Sequence, residues 1–309
     1  MKTDIYICSK PLQYFNLRNI KSESLGIKRT LLILGSFLES EQFADRIKKF
    51  DTMWDDIVYL KSHFDLYLYL FLHPANVWFV EIDASFFYGL FSKLSCFKTM
   101  YMFEEGFGSY RRDRFDTSKG LKRWINKYTG VGRHVGFSTY LTGQYLYLPA
   151  LFKRQFPDYS KPIMEFAKPF KVRLREELSF FMKLSDGYDN FFLIKNKRIG
   201  LYLTNHHVNL QFMETLVQTK DSFDLFFIKP HPHIRDLRDL SQYNISIIRS
   251  NIMIEFLLIL LLDNNNELTV FHENSTAVIW FQNEIINRNL GERFEDYDIV
   301  ASYIKQEML

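Results

Sequence analysis

The chain has 309 residues, more than one ordinary hydrophobic core needs and enough for two domains. A composition 47% hydrophobic and 24% charged is that of a folded globular protein, and a net charge of +3 does not mark a nucleic-acid binder. Two cysteines, Cys8 and Cys96, without CxxC spacing give neither a disulfide framework nor a zinc site, which suits a reducing cytoplasm.

In chain order, apolar runs at residues 5–8, 31–34, 56–60, 77–80 and 99–103 read as buried parallel strands. The first follows the N-terminus directly, without the apolar core of a signal peptide, so a cytoplasmic protein is expected. Helical spacing lies between these runs at 12–20, 41–50 and 86–94.

From residue 106 to 162 the alternation loosens. Between Arg111 and His134 eight lysines and arginines face only Asp113 and Asp116, with Trp124, Ile125 and Tyr128 interleaved. Such a stretch suits an anionic membrane surface or an anionic substrate, with a solvated helix face as the plain alternative. Residues 169–184 read as one amphipathic helix and 186–190 as a turn.

Strands then resume at 199–203, 225–228, 245–248 and 268–271, with helices at 208–219 and from 277 onward. The most apolar segment, 252–262, contains Glu255, is too short to span a bilayer, and reads as a buried helix. Alternating strands and helices predict an α/β protein of two Rossmann-like domains facing across a cleft. The expected boundaries are 1–165, a linking helix and turn at 166–190, a second domain at 191–290, and a C-terminal helix at 291–309 packing back on the first domain.

Polar signatures follow several strands, where ligand sites of open α/β sheets form. Glu104-Glu105-Gly106 offers crowded carboxyls, one of them with a raised pKa suited to a general base, and a glycine that lets the chain turn; a surface turn is the plain alternative. Lys229-Pro230-His231-Pro232 holds a histidine between two prolines, fit to meet a phosphate or protonate a leaving group, or else to form a rigid exposed loop. Asn274-Ser275-Thr276 precedes a helix and offers either a phosphate cradle or an ordinary N-cap. Thr204-Asn205 ends another strand beside His206 and His207, whose side chains diverge and lack a nearby carboxylate, so no metal site is expected. Walker, G-x-G-x-x-G and G-x-S-x-G motifs are absent from the sequence.

In this order and spacing, the acidic-acidic-Gly, His-Pro and Ser-Thr motifs resemble those of bacterial sialyltransferases. The opening Cys8-Ser9-Lys10-Pro11-Leu12-Gln13 also resembles the N-terminal loop of the lipooligosaccharide sialyltransferase and polysialyltransferase groups, with Lys10 where their pattern has Ser or Thr. The resemblance implies a GT-B fold and an inverting, metal-independent transfer of sialic acid from CMP-sialic acid to a bacterial surface glycan. It implies that Glu104 is the base, that His231 meets the departing phosphate, and that Ser275 and Thr276 hold it. Ser9, Gln13, Glu105, Gly106, Thr204, Asn205, Lys229 and Pro232 are the further substrate-binding candidates. The expected partners are a nucleotide-sugar donor and an oligosaccharide acceptor, lipid-linked or free, with no cofactor. A GT-B enzyme for another nucleotide sugar and a non-catalytic nucleotide- or glycan-binding subunit are the alternatives.

Overall fold

The computed structural model describes residues 2–21, 26–113, 118–205, 209–231, 234, 240, 242–249, 252–292 and 294–307. The chain divides into two compact units, Met1–Ser36 with Ser40–Phe170, and Lys171–Leu309 with Phe37–Glu39.

The first unit carries a seven-stranded sheet among the described residues. Its strands are β1 (Thr3–Cys8), β2 (Lys28–Leu34), β3 (Asp56–Leu60), β4 (Ala75–Val80), β5 (Phe97–Phe103), β6 (Gly143–Leu146) and β7 (Ile163–Glu165). All pair in parallel in the order β3-β2-β1-β4-β5-β6-β7. The inner strands are covered on both faces, so they need continuous apolar runs rather than alternation. Ile5, Ile7, Leu32, Trp78, Val80, Met100 and Met102 are buried together in one core cluster. The strand order reverses between β1 and β4, the kind of position where open α/β sheets bind ligands.

The second unit repeats the plan with β8 (Arg198–Leu203), β9 (Leu225–Lys229), β10 (Ser246–Ile247), β11 (Glu267–His272) and β12 (Ile286–Asn289). These five strands, again parallel, take the order β10-β9-β8-β11-β12, so the switch falls between β8 and β11. Tyr202, Met213, Leu216, Ile228 and Phe271 share its core. The apolar segment forms the helix Ile254–Asp263, buried almost all round as its composition requires, Glu255 included.

Several features differ from the sequence reading, among them the short strands β6, β7 and β12, which it did not place. The helix expected from residue 277 onward is a single turn, Thr276–Ile279, because the chain must return to start β12. A helix that the sequence reading did not place, His63–Leu72, connects β3 to β4.

Candidate functional site

The candidate residues fall into two sets, one at the carboxyl edge of each sheet. In the first unit, Ser9 and Lys10 follow β1, Glu81 follows β4, Glu104 and Glu105 follow β5, and Tyr147 follows β6. Glu104 continues the ladder, donating its backbone N–H to the Tyr145 carbonyl at 2.9 Å, while Asn16 Nδ2 donates to its own carbonyl at 2.7 Å. Its carboxyl is buried, with the residue only 1% exposed. Oε2 accepts both the Tyr110 hydroxyl and the Tyr147 N–H, the latter at 2.8 Å. Tyr110 in turn accepts the Leu148 N–H at 3.0 Å, which fixes its hydroxyl, and burial beside the carboxylate pushes its own pKa well up.

Oε1 of Glu104 has no hydrogen bond among the described residues. Burial pushes the Glu104 pKa up to about 8, against the pull of the two hydrogen bonds. The result is a carboxyl locked through one oxygen, able to take or give a proton near neutral pH through the other.

Gly106 explains how Tyr110 comes back to this carboxyl. Its backbone, φ 140° and ψ −151°, lies in a region essentially confined to glycine. The kink leads into the one-turn 3-10 helix Phe107–Tyr110. Glu105, by contrast, is partly exposed and forms an ion pair with Lys10. Ser9 and Gln13 satisfy one another: the Ser9 N–H and hydroxyl both donate to Gln13 Oε1, at 2.5 and 2.9 Å. This closes the start of the helix Pro11–Arg18 much as a capping box does.

Sequence reasoning missed Glu81. Its Oε2 is buried with no hydrogen-bond partner among the described residues, and burial, reinforced by the charge of Glu105 and opposed by Lys10, pushes its pKa up to about 7. Its place directly after the strand read at 77–80 is the one sequence signal that could have found it. Only the sheet order, which sets β4 between β1 and β5, brings it to the switch point.

In the second unit, Thr204 and His231 come together, the His231 N–H donating to Thr204 Oγ1 at 2.8 Å and tying the loops after β8 and β9. Asn205 is exposed beside them. Pro232, like His206 and His207, lies outside the described residues. Lys229 is buried rather than solvated, and its ammonium donates to the Pro230 carbonyl at 3.2 Å. Burial lowers its pKa to about 7 against the attraction of the buried Glu255, whose own pKa burial raises to about 7.

At the end of β11 the Ser275 N–H donates to His272 Nδ1 at 3.0 Å. That leaves the ring's proton on Nε2, which donates to Asn287 Oδ1 at 2.5 Å. Burial holds the His272 pKa down to about 4, so the ring is neutral. The expected cradle at Ser275 and Thr276 is therefore built differently: one of its backbone donors is already used, and its helix is one turn long. Asn274 and Asn289 exchange further bonds, Asn289 Nδ2 donating to Asn274 Oδ1 at 2.7 Å, which pins this loop to the end of β12. Among the described residues no three His, Cys, Asp or Glu side chains are grouped to hold a metal ion.

No protein-family model matches the chain, and no curated protein does. Among solved structures it is similar to the wall teichoic acid polymerase TagF, with a TM-score of 0.52 and 13% identity over 90% of this chain and 66% of that one. It is also similar to the UDP-GlcNAc 2-epimerase of Methanocaldococcus jannaschii, with a TM-score of 0.55 and 14% identity over 99% of this chain and 93% of that one. The UDP-GlcNAc 2-epimerase of Neisseria meningitidis gives 0.53 and 11%, over 100% and 91%. At these identities the likeness is one of architecture: two parallel-sheet α/β units in a GT-B-like fold.

Proposed function

We propose that this protein is an inverting glycosyltransferase that moves sialic acid from CMP-sialic acid to a hydroxyl of a bacterial surface glycan. The observation that carries the reading is Glu104, a buried carboxyl with a near-neutral pKa and one oxygen open, on the residue that the motif pattern marks as the base. The acceptor hydroxyl gives its proton to Oε1 as its oxygen bonds to the anomeric carbon. The bond from that carbon to the CMP phosphate breaks, and CMP leaves with inversion. His231 with the hydroxyls of Ser275 and Thr276 meets the phosphate charge. The structural neighbours support a nucleotide-sugar ligand in general terms, since the epimerase structures hold UDP-GlcNAc.

Those same neighbours favour a second reading, a GT-B enzyme working on a UDP-sugar. Thermal-shift measurements with CMP, UDP and GDP separate the two, followed by a transfer assay with CMP-sialic acid in the presence and absence of EDTA. We expect stabilisation by CMP and transfer insensitive to EDTA. Stabilisation by UDP and not by CMP would overturn the donor assignment, and loss of transfer on chelation would overturn the metal-free step.

A further inference from the structure

Three neighbouring helices of the first unit turn apolar stripes outward. In Gly120–Thr129 the side facing the protein carries the buried Asn126 and Thr129, while Leu121, Trp124 and Tyr128 are 73%, 63% and 61% exposed. Residues 121, 124 and 128 share one helical face, so the amphipathic helix is mounted with its apolar side to solvent. The rings of Trp124 and Tyr128 stack at 5.6 Å.

Next to it, Phe86–Lys93 exposes Phe86 and Leu90 on one stripe, and Leu94 continues it. The two helices meet at Gly89, where a Cβ would fall 1.9 Å from the Thr129 carbonyl oxygen. Lys93 joins them from outside, donating to the Tyr128 carbonyl at 2.7 Å with its ammonium 3.4 Å from the ring centre. The third helix, His63–Leu72, packs on the second through Tyr67 and Phe87, stacked at 4.3 Å, and exposes Phe64, Leu68, Phe71 and Leu72.

The charges on these helices are one-sided. Lys93, Lys122, Arg123 and Lys127 are exposed, and the one acidic residue, Asp65, accepts from its helix-capping Ser62 at 2.8 Å. A second copy of this face would set cations against cations, which disfavours self-pairing. A surface of Trp, Tyr, Phe and Leu with exposed lysine and arginine on two of its three helices matches the chemistry of an anionic bilayer surface, where aromatic rings sit at headgroup level and basic side chains reach the phosphates.

We infer that the face formed by His63–Leu72, Phe86–Lys93 and Gly120–Thr129 docks on an anionic lipid bilayer. The sequence drew attention to the charge between Arg111 and His134; the structure shows an apolar face three helices wide, with Lys122, Arg123 and Lys127 of that stretch exposed on one of the three. The inference stands whichever sugar nucleotide the protein uses, and its test needs no substrate.

Of the four tryptophans, Trp54, Trp78 and Trp280 are buried, so a lipid-induced change in emission reports Trp124. The 309-residue protein is mixed with vesicles of phosphatidylcholine alone, or of phosphatidylcholine with phosphatidylglycerol. With the anionic vesicles it is expected to co-sediment, to shift its emission to the blue, and to be quenched by brominated lipid. Co-sedimentation is expected to weaken at least about tenfold in Lys122→Glu/Lys127→Glu and to fall further in Leu121→Glu/Trp124→Glu, all at exposed positions. Absence of co-sedimentation, or co-sedimentation with Trp124 emission unchanged, would overturn the proposal. So would a concentration-dependent dimer abolished by Leu121→Glu.

Discussion

The carboxyl edges of the two sheets face the same physics with different proton inventories. At the first edge burial acts on acids, raising Glu81 to about 7 and Glu104 to about 8, so both keep protons that free carboxyls would lose. At the second edge burial lowers two bases, Lys229 to about 7 and His272 to about 4, and raises the acid Glu255 beside Lys229 to about 7. The first edge is equipped to exchange a proton. The second is a cross-linked frame around a neutral His272, in which His272, Asn287, Asn289 and Thr204 are used to position Ser275, Asn274 and His231.

The largest effect expected from this contrast is on turnover. Glu104→Gln keeps an oxygen to accept from Tyr110 and Tyr147 but cannot take a proton, so kcat should fall by about 10²- to 10⁴-fold with donor affinity largely kept. Steady-state kinetics at saturating donor, with separate CMP titration, checks this; unchanged kcat would remove proton transfer from the first edge.

A smaller effect tests the signs of the two edges through stability. Glu104 holds its proton in the folded state up to about 8, well above the ordinary carboxyl value of 4.5. It therefore favours folding at low pH, and that advantage is lost as pH rises through this window. His272, held down to about 4 from 6.5, works the other way, its contribution being present above 6.5 and lost as pH falls toward 4. Thermal melting across this range should show Glu104→Gln gaining on the wild type with rising pH, and His272→Asn falling further behind it. Parallel curves would break the comparison.

The smallest effect concerns the turn that serves the first edge. Gly106→Ala places a side chain at φ 140°, with an expected cost of about 1–3 kcal/mol. Denaturant unfolding checks the cost. Because the turn delivers Tyr110, the variant's activity–pH profile should shift as well.

The strands that deliver the candidate residues were readable because inner parallel strands are unbroken apolar runs, as in residues 99–103 and 225–228. Three strands were not. Gly143–Leu146 and Ile163–Glu165 are short, and Ile286–Asn289 carries Asn287, Arg288 and Asn289, so none has an apolar run long enough to stand out. His63–Leu72 escaped because its LYLYLFL run is apolar on every side and shows no helical period. At the sites, the motifs marked Glu104 but not Tyr110 or Tyr147, and Ser275 but not the His272–Asn287 pair that holds it. Tyr147 reaches Glu104 from 43 positions along the chain, and Asn287 meets His272 only because β12 pairs with β11. Such contacts are properties of sheet order, which a linear pattern does not carry.

Gly89 has a consequence for how this surface can vary. A side chain there would strike the backbone of the neighbouring helix, and the only relief is for the two helices to part. Their exposed stripes would then move apart. The spacing of the two outer stripes is thus set from beneath, by an absent methyl group, and residue 89 is constrained by a surface to which it contributes no atom of side chain.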